Sequence, residues 1–532
     1  MQIFPFLRWN SRAWVVPPRS SGAVHTDPLA ELEHWIGQLP PRLPLTRARM
    51  LGTRLKTLLE ADTKIRVRLK MLELVDDATL RLSSEIEAQL NMATLPLSRR
   101  IHHPLIATLG VLKLLAQAYL DLAEKLSKRW VRFTVTRPLR IAVERGTLLA
   151  AHRLALTHRA YAIGNSSSWH HLYALHKLAK QHGFADERPN TGGLALSASD
   201  HYAQAVLLSA ADPTAIALGD LDRVRFYLQR HVRHTRFMLA GDNAEALQAQ
   251  AQGLYVLTDG THPPIALTRY RAPLQRTQCL LDCREMLAKL QGQIDGLRLG
   301  VVPARLGLPI AARQQRYVAM LETLHDHWAN PRSRSHGRTR FLPRADLVAG
   351  FSAIRPFVAG TALHRRSGEP PLSAALNGLA DRTSEWGILD ESPGGFGLRY
   401  LRGQAQYIQV GEIIALRPHE RASVMIGVTR RMVSRKENEF DIGLEILSAS
   451  SIPTHVILPA SALQRRPQVP VLLLPKMPSL GARPGLLAPI GEVPPGTRIT
   501  LQQHGQQLTL KTGVPLEKLS GVEIIPLYRG DK

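Results

Sequence analysis

The sequence predicts a multidomain α plus β protein: an N-terminal all-α helical domain, then a small antiparallel β-barrel and a β-rich C-terminal piece. Three observations lead there. At 532 residues the chain exceeds what one ordinary core organises. Apolar residues recur at helical spacing from about residue 28 to 328. After Asn330-Pro331 that period vanishes: Arg332, Arg334, Arg338, Arg340 and Arg344 follow within thirteen residues, and β-prone runs bounded by Gly, Pro and charge take over.

Hydrophobic residues at 44% and charged residues at 21% describe a globular chain. A net charge of +25 points to anionic partners: nucleic acid, a phosphorylated small molecule or an acidic membrane surface. A general arginine bias of the chain explains the same surplus. Nucleic acid is the less favoured partner, because bases interleave with acids along most helices and aromatics, at 5%, supply few stacking platforms.

Residues 1–27 read as a flexible tail rich in Pro and Ser, without the apolar run and cleavage site of a signal peptide. The helical domain, 28–330, begins with "PLTRARMLGTRLKTLLEA", where Pro44 stands at a first helical position. "DATLRLSSEIEAQLNMA" is expected to start after an aspartate cap, and "RPLRIAVERGTLLAAHRLALTHRAYAIG" to close on Gly164. "SSSWHHLYALHKLAKQHGF" follows serine caps and ends before Gly183. Such helix pairs suggest a repeat-like array without a countable period. The best membrane candidate, "PLIATLGVLKLLAQAYLDLAEKL", is interrupted by Lys113, Gln117 and Asp121 at four-residue spacing, so it reads as a packed amphipathic helix. No membrane span and a cytoplasmic location are expected.

A hairpin is expected within "GLYVLTDGTHPPIALTRY", turning at Asp259-Gly260. Cys279 and Cys283, four apart in "TQCLLDCREML", would share a helix face and serve packing, being badly placed for a disulfide or a zinc site. The histidine clusters read as structural, and no HExxH, Walker, GxSxG or GxGxxG pattern appears. No catalytic residue, metal or cofactor is therefore expected.

An Arg-rich linker, 331–344, leads into the barrel, 345–466, and a C-terminal extension, 467–532. Barrel strands are expected in "ADLVAGFSAI", "GGFGLRYL", "YIQVGEIIAL", "SVMIGVTRRMV" and "FDIGLEIL". In the extension "PVLLLP", "TRITLQQ" and "QQLTLKTG" are strands around the turn "QQHGQQ", forming either a separate module or a pendant of the barrel.

Two motifs stand directly before strands. "RFLPR" places Arg340 and Arg344 in R-x-x-x-R spacing, and "DESPGG" places Asp390, Ser392 and Gly395 in D-x-S-x-x-G spacing. An arginine fork bonds the O6/N7 edge of guanine, holds a phosphate or stacks on a purine. A carboxylate accepts from guanine N1 and N2, a hydroxyl bonds either way, and glycine allows close backbone approach. Together these residue types suit a guanine nucleotide.

The pair resembles the PilZ domain, a small β-barrel receptor for the bacterial second messenger cyclic di-GMP. The resemblance covers about 335–450. It implies that Arg340 and Arg344 grip guanine and phosphate and that Asp390, Ser392 and Gly395 complete the site. Arg338 would add a phosphate contact, and Gly443 would be the glycine of the closing strand. It implies a signalling effector, with the helical domain meeting a protein partner or a second copy of the chain and the linker transmitting the change. One departure stands out: residues 345–389 separate the motifs by more than the family commonly has. The excess, around "HRRSGEPPLSAALNGLADRTSEW", reads as an inserted loop with a short helix. It either leaves the motifs adjacent or holds them apart in a degenerate scaffold that binds no nucleotide. A basic nucleic-acid-binding protein is the other alternative.

Overall fold

Proline and aspartate open the first helix: Pro28 takes its first position, and the Asp27 carboxylate accepts from the Leu29 N–H at 3.1 Å. The computed structural model describes residues 27–128, 132–162, 166–188, 195–258, 260, 262–331, 343–359, 383–403, 408–419, 423–436, 439–459, 468–478, 481, 483–503 and 506–529. Arg338 and Arg340 lie outside these residues, as does Gly164.

The helical part comprises α1 (Pro28–Gly37), α2 (Pro44–Glu60), α3 (Ile65–Asn91), α4 (Arg99–Ser127), α5 (Arg132–Arg159), α6 (Ser166–Gln181), α7 (Ala198–Ala210) and α8 (Leu218–His231). α3 begins well before the expected aspartate cap. Asp76 and Asp77 are interior because Arg145 Nη1 pairs with both, at 2.6 and 2.8 Å, and Tyr119 donates to Asp76 at 2.6 Å. The helices form a bundle rather than a repeat array: α4 packs on α2, α3, α5 and α6, and α5 on α3, α4, α6 and α7. α4, the one described helix long and apolar enough to cross a membrane, buries Leu112, Leu115, Ala116 and Ala123 completely in that bundle. A capping box of Ser197 and Asp200 starts α7.

A four-stranded sheet follows, not foreseen beyond its hairpin. Its strands are β1 (Arg236–Leu239), β2 (Leu254–Val256), β3 (Ile265–Ala266) and β4 (Cys279–Asp282), ordered β1-β4-β2-β3. The hairpin is the β2–β3 pair, with Gly260 at φ 85° between its strands. The cysteines do not share a helix. Cys279 starts β4, whereas Cys283 is buried at the cap of the helix that follows and donates its thiol to the Gly253 carbonyl at 2.9 Å. α9 (Ala244–Ala249), α10 (Arg284–Arg298) and α11 (Gln315–Ala329) complete this part.

Two closed antiparallel barrels make up the rest. The first contains β5 (Arg344–Ala349), β6 (Thr383–Ser392), β7 (Gly395–Gly403), β8 (Ile413–Pro418), β9 (Met425–Lys436) and β10 (Glu439–Ser448), closing as β5-β6-β7-β10-β9-β8. Its interior holds Leu347, Trp386, Leu398, Leu416 and Phe440, all fully buried. The run "ADLVAGFSAI" is not one strand. β5 ends at Ala349, Gly350 turns at φ 88°, and α12 (Phe351–Ala359) follows. The short helix expected in the inserted stretch falls on residues 360–382, which lie outside the described residues, and "TSEW" begins a strand instead of ending a loop.

The C-terminal strands are β11 (Ile452–Ile457), β12 (Gln468–Met477), β13 (Arg483–Pro489), β14 (Arg498–Gln503), β15 (Gln506–Thr512), β16 (Glu517–Lys518) and β17 (Val522–Arg529). Leaving aside the two-residue β16, they close as β11-β12-β13-β17-β15-β14. In chain order both rings run first, second, third, sixth, fifth, fourth, so the extension repeats the circuit of the first barrel. The two barrels pack side by side: Ile413, Ala415 and Ile426 of the first meet α12 and Leu472, Leu474, Leu487 and Ile524 of the second.

Candidate ligand site on the first barrel

The pairing of β5 with β6 decides whether the intervening segment separates the motifs. The strands are antiparallel neighbours with Arg344 opposite Gly387, three residues along β6 from Asp390. The segment between the strands leaves the ladder after Val348 and rejoins it at Thr383, so it does not hold the strands apart. Arg344 Nη1 donates to Glu385 Oε1 at 2.8 Å, and Arg402 Nε donates to Glu385 Oε2 at 2.5 Å. Burial pushes the Glu385 carboxyl up, but the hydrogen bonds from Arg402 and Arg344 outweigh it and hold the group below the usual carboxylate range.

Asp390 and Ser392 belong to β6, not to a loop before a strand. Asp390 stands opposite Gly397, and a Cβ at 397 would fall 2.3 Å from Asp390 Oδ1. The missing side chain is what lets the carboxylate lie over β7. Gly397 stands opposite Gly443 of β10, and Gly443 opposite Arg431 of β9. One row across four strands therefore reads Asp390, Gly397, Gly443, Arg431: a glycine floor, with Gly397 buried under the Asp390 carboxylate and Gly443 half-buried, between a carboxylate and a guanidinium. The row beside it, Gly387, Arg399, Asp441, carries a bonded pair, with Arg399 Nε 2.8 Å from Asp441 Oδ1. Ser392 Oγ donates to the Gly395 carbonyl at 3.1 Å across the β6–β7 turn. Gly395 is demanded by packing, since a Cβ there would sit 1.9 Å from the Leu444 carbonyl oxygen on β10.

β9 also carries the contacts to the neighbouring domains. Its register shifts at Arg430, which pairs with no β10 residue while Thr429 faces Leu444 and Arg431 faces Gly443. Arg430 Nη2 donates to Glu517 Oε2 of the second barrel at 2.7 Å, and Arg430 Nε to Glu445 Oε2 at 2.6 Å. Arg431 Nε donates to Thr214 Oγ1 of the helical part at 2.8 Å, and Thr214 donates on to Asp212 Oδ1 at 2.6 Å. Three residues along, the Ser434 N–H donates to the Tyr161 carbonyl at 2.9 Å. Tyr161 and Asp212, both at φ 53°, are the two non-glycine residues with positive φ among the described residues, and both stand at this joint.

Two family descriptions match the chain. "Cyclic-di-GMP receptor FimW, N-terminal domain" matches residues 30–242, and "Cyclic-di-GMP receptor FimW, middle PilZ domain" matches residues 373–453. Together they cover more than half of it. The chain belongs to the FimW family of cyclic di-GMP receptors. No curated protein and no solved structure matches it. Its receptor module is a PilZ domain, and its ligand is cyclic di-GMP. The PilZ match holds Asp390, Ser392 and Gly395 but begins after β5, so Arg344 is tied to them by strand register alone. The FimW match at the N-terminus runs from α1 through β1.

Sequence reasoning named Asp390 and Gly443 of this row and missed Gly397 and Arg431. Gly397 and Gly443 come to stand opposite each other only once β7 and β10 are aligned. The signal was nevertheless there, in the spaced glycines of "WGILDESPGGFG" and "FDIGLEIL". Nothing comparable marked Arg431, one of two adjacent arginines in a chain with 68 basic residues. Many of those bases are neutralised locally, as in Arg140–Glu187, Arg188–Asp200 and Arg316–Asp220. Among the described residues no group of three or more His, Cys, Asp or Glu converges on a metal position.

Proposed function

We propose that cyclic di-GMP lies on the glycine floor of the first barrel. Asp390 and Ser392 take a guanine edge, Arg344 and Arg340 grip guanine and phosphate, and Arg338 adds a phosphate contact. Gly395 keeps β7 close to β10 so that the floor stays flat. Occupancy is read by the helical domain, which meets a protein partner or a second copy of the chain. The protein is a non-catalytic cytoplasmic effector.

The supporting observation is the strand row that begins at Asp390 and ends at Arg431, whose side chain holds Thr214 of the helical part. A dianionic ligand on that row competes with Thr214 for the guanidinium, because a charge-assisted bond to phosphate exceeds a neutral one to a hydroxyl. Release of Thr214 then frees a joint built on two backbone positions of unfavourable φ.

Isothermal titration of the full chain with cyclic di-GMP tests the site. The parent binds saturably, and Arg344→Ala loses at least tenfold in affinity with little change in melting temperature, since its exposed pair with Glu385 contributes under about 1 kcal/mol to stability. Equal affinity of parent and variant removes Arg344 from the site.

A further inference from the structure

The helical domain contains a cavity of its own, about 440 Å³ in volume, between α3, α5, α7 and α8. That is the size of a small-molecule site. Its walls are apolar, with Leu80, Leu148, Leu208 and Phe226 facing the space. Its charges cancel in pairs: Arg225 Nη1 bonds Glu87 Oε1 at 3.1 Å, and Arg159 Nη2 bonds Asp222 Oδ2 at 2.9 Å. His201, Gln204 and Gln229 also line it, and none of these three side chains has a hydrogen-bond partner among the described residues. Arg159, only 2% exposed, leaves its Nε without an acceptor. Burial holds the His201 ring down at about 4, so the lining carries no net charge near neutral pH.

Apolar walls, neutral hydrogen-bonding groups not engaged within the protein and balanced charge together point to an occupant. We propose that this cavity is a second ligand site, taking an uncharged small molecule with a planar apolar body and hydrogen-bonding groups at one end. Phe226 and the leucines cover the body; His201, Gln204 and Gln229 meet the polar end. The site stands apart from the barrel floor, but Asn91 and Arg159 line both it and a cleft beside the barrel. Arg159 also lines the cleft of about 610 Å³ between the helical part and the first barrel, beside Tyr161 and Met432. Two residues past Arg159, the Tyr161 carbonyl accepts from β9. A molecule in the cavity therefore acts on the same joint as the nucleotide, and the receptor has two inputs.

Nile red, an uncharged planar dye with acceptor groups, is the probe, titrated into the full-length chain. The expected result is saturable binding of one dye per chain with blue-shifted, enhanced emission. Ala151→Trp fills the cavity and lowers the affinity at least tenfold. His201→Phe keeps the bulk, removes a polar partner and lowers it about fivefold. Circular dichroism and an unchanged cyclic di-GMP titration establish that each variant is folded. Absence of saturable dye binding overturns the proposal, as does saturable binding that neither substitution weakens. Loss with Ala151→Trp but none with His201→Phe overturns the assignment of a polar end.

Discussion

Gly397 and Gly395 are two residues apart on one strand, and the structure assigns them opposite fates on substitution. A methyl at 397 meets the end of the Asp390 side chain, with Oδ1 at 2.3 Å, and that carboxylate can swing away. The backbone at 397 does not have positive φ, so alanine costs no strain and gains about 0.5–1 kcal/mol over glycine in a strand. Gly397→Ala should therefore fold as well as the parent while displacing Asp390 from the floor. If the carboxylate bonds guanine, its loss costs about 1.5–3 kcal/mol, or roughly ten- to hundredfold in affinity. Asp390→Ala should cost the same, and the double variant no more than either, because both remove one contact. A methyl at 395 instead meets backbone, the Leu444 carbonyl oxygen at 1.9 Å, so Gly395→Ala should open the β7–β10 ladder and lower the melting temperature sharply. Titration calorimetry with cyclic di-GMP and thermal melts on the parent and the four variants measure all of this. Parent-like affinity in Gly397→Ala would refute the floor, and additive losses in the double variant would refute the shared contact.

Two further outcomes follow from other parts of the chain. Arg431→Ala should weaken nucleotide binding only a few-fold, yet erase any ligand-dependent change in hydrogen exchange over residues 158–162 and 212–216; persistence of that change would remove Arg431 from the relay. Acid should destabilise the helical domain in a defined window. Burial lowers His158 and His171 to about 4 and His176 to about 3, so all three are neutral when folded, whereas the unfolded chain takes up protons near its ordinary value of about 6.5. Stability is thus complete above about pH 6.5 and falls as pH drops toward 4, by about 1.4 kcal/mol per histidine near pH 5.5; urea midpoints that stay flat from pH 7 to 5 would contradict it.

The helices were legible because their apolar faces repeat over ten or more residues and their ends carry Pro, Ser and Gly. Short elements escaped for the opposite reason: β3 has two residues, and no period can be read from two. β6 shows the alternation of a strand, with Ser384, Trp386 and Ile388 buried and Glu385 and Gly387 between them. It was masked by the Pro- and Ser-rich stretch before it and by a motif that looked like a loop. Closure of the second barrel depends on β13 meeting β17 across some thirty intervening residues, a pairing that no local pattern encodes. The site motifs were readable as residue types at fixed spacing. Their connection to Thr214 was not, because a contact between residues 214 and 431 is made by docking, not by sequence.

The repeated strand circuit has a consequence for counting. Along the second, third and sixth strands the first ring presents Asp390, Gly397 and Gly443, whereas the second ring presents Leu472, Leu487 and Ile524. What is a glycine row on one copy is a greasy seam on the other, pressed against its twin. The second ring therefore does not repeat the glycine row of the first. Nor can the tail be trimmed away to leave a smaller receptor: cutting after the first ring would bare that seam on Ile413, Ala415 and Ile426, and the truncated chain would be left sticky. The twin barrels thus share one apolar core and stand or fall together.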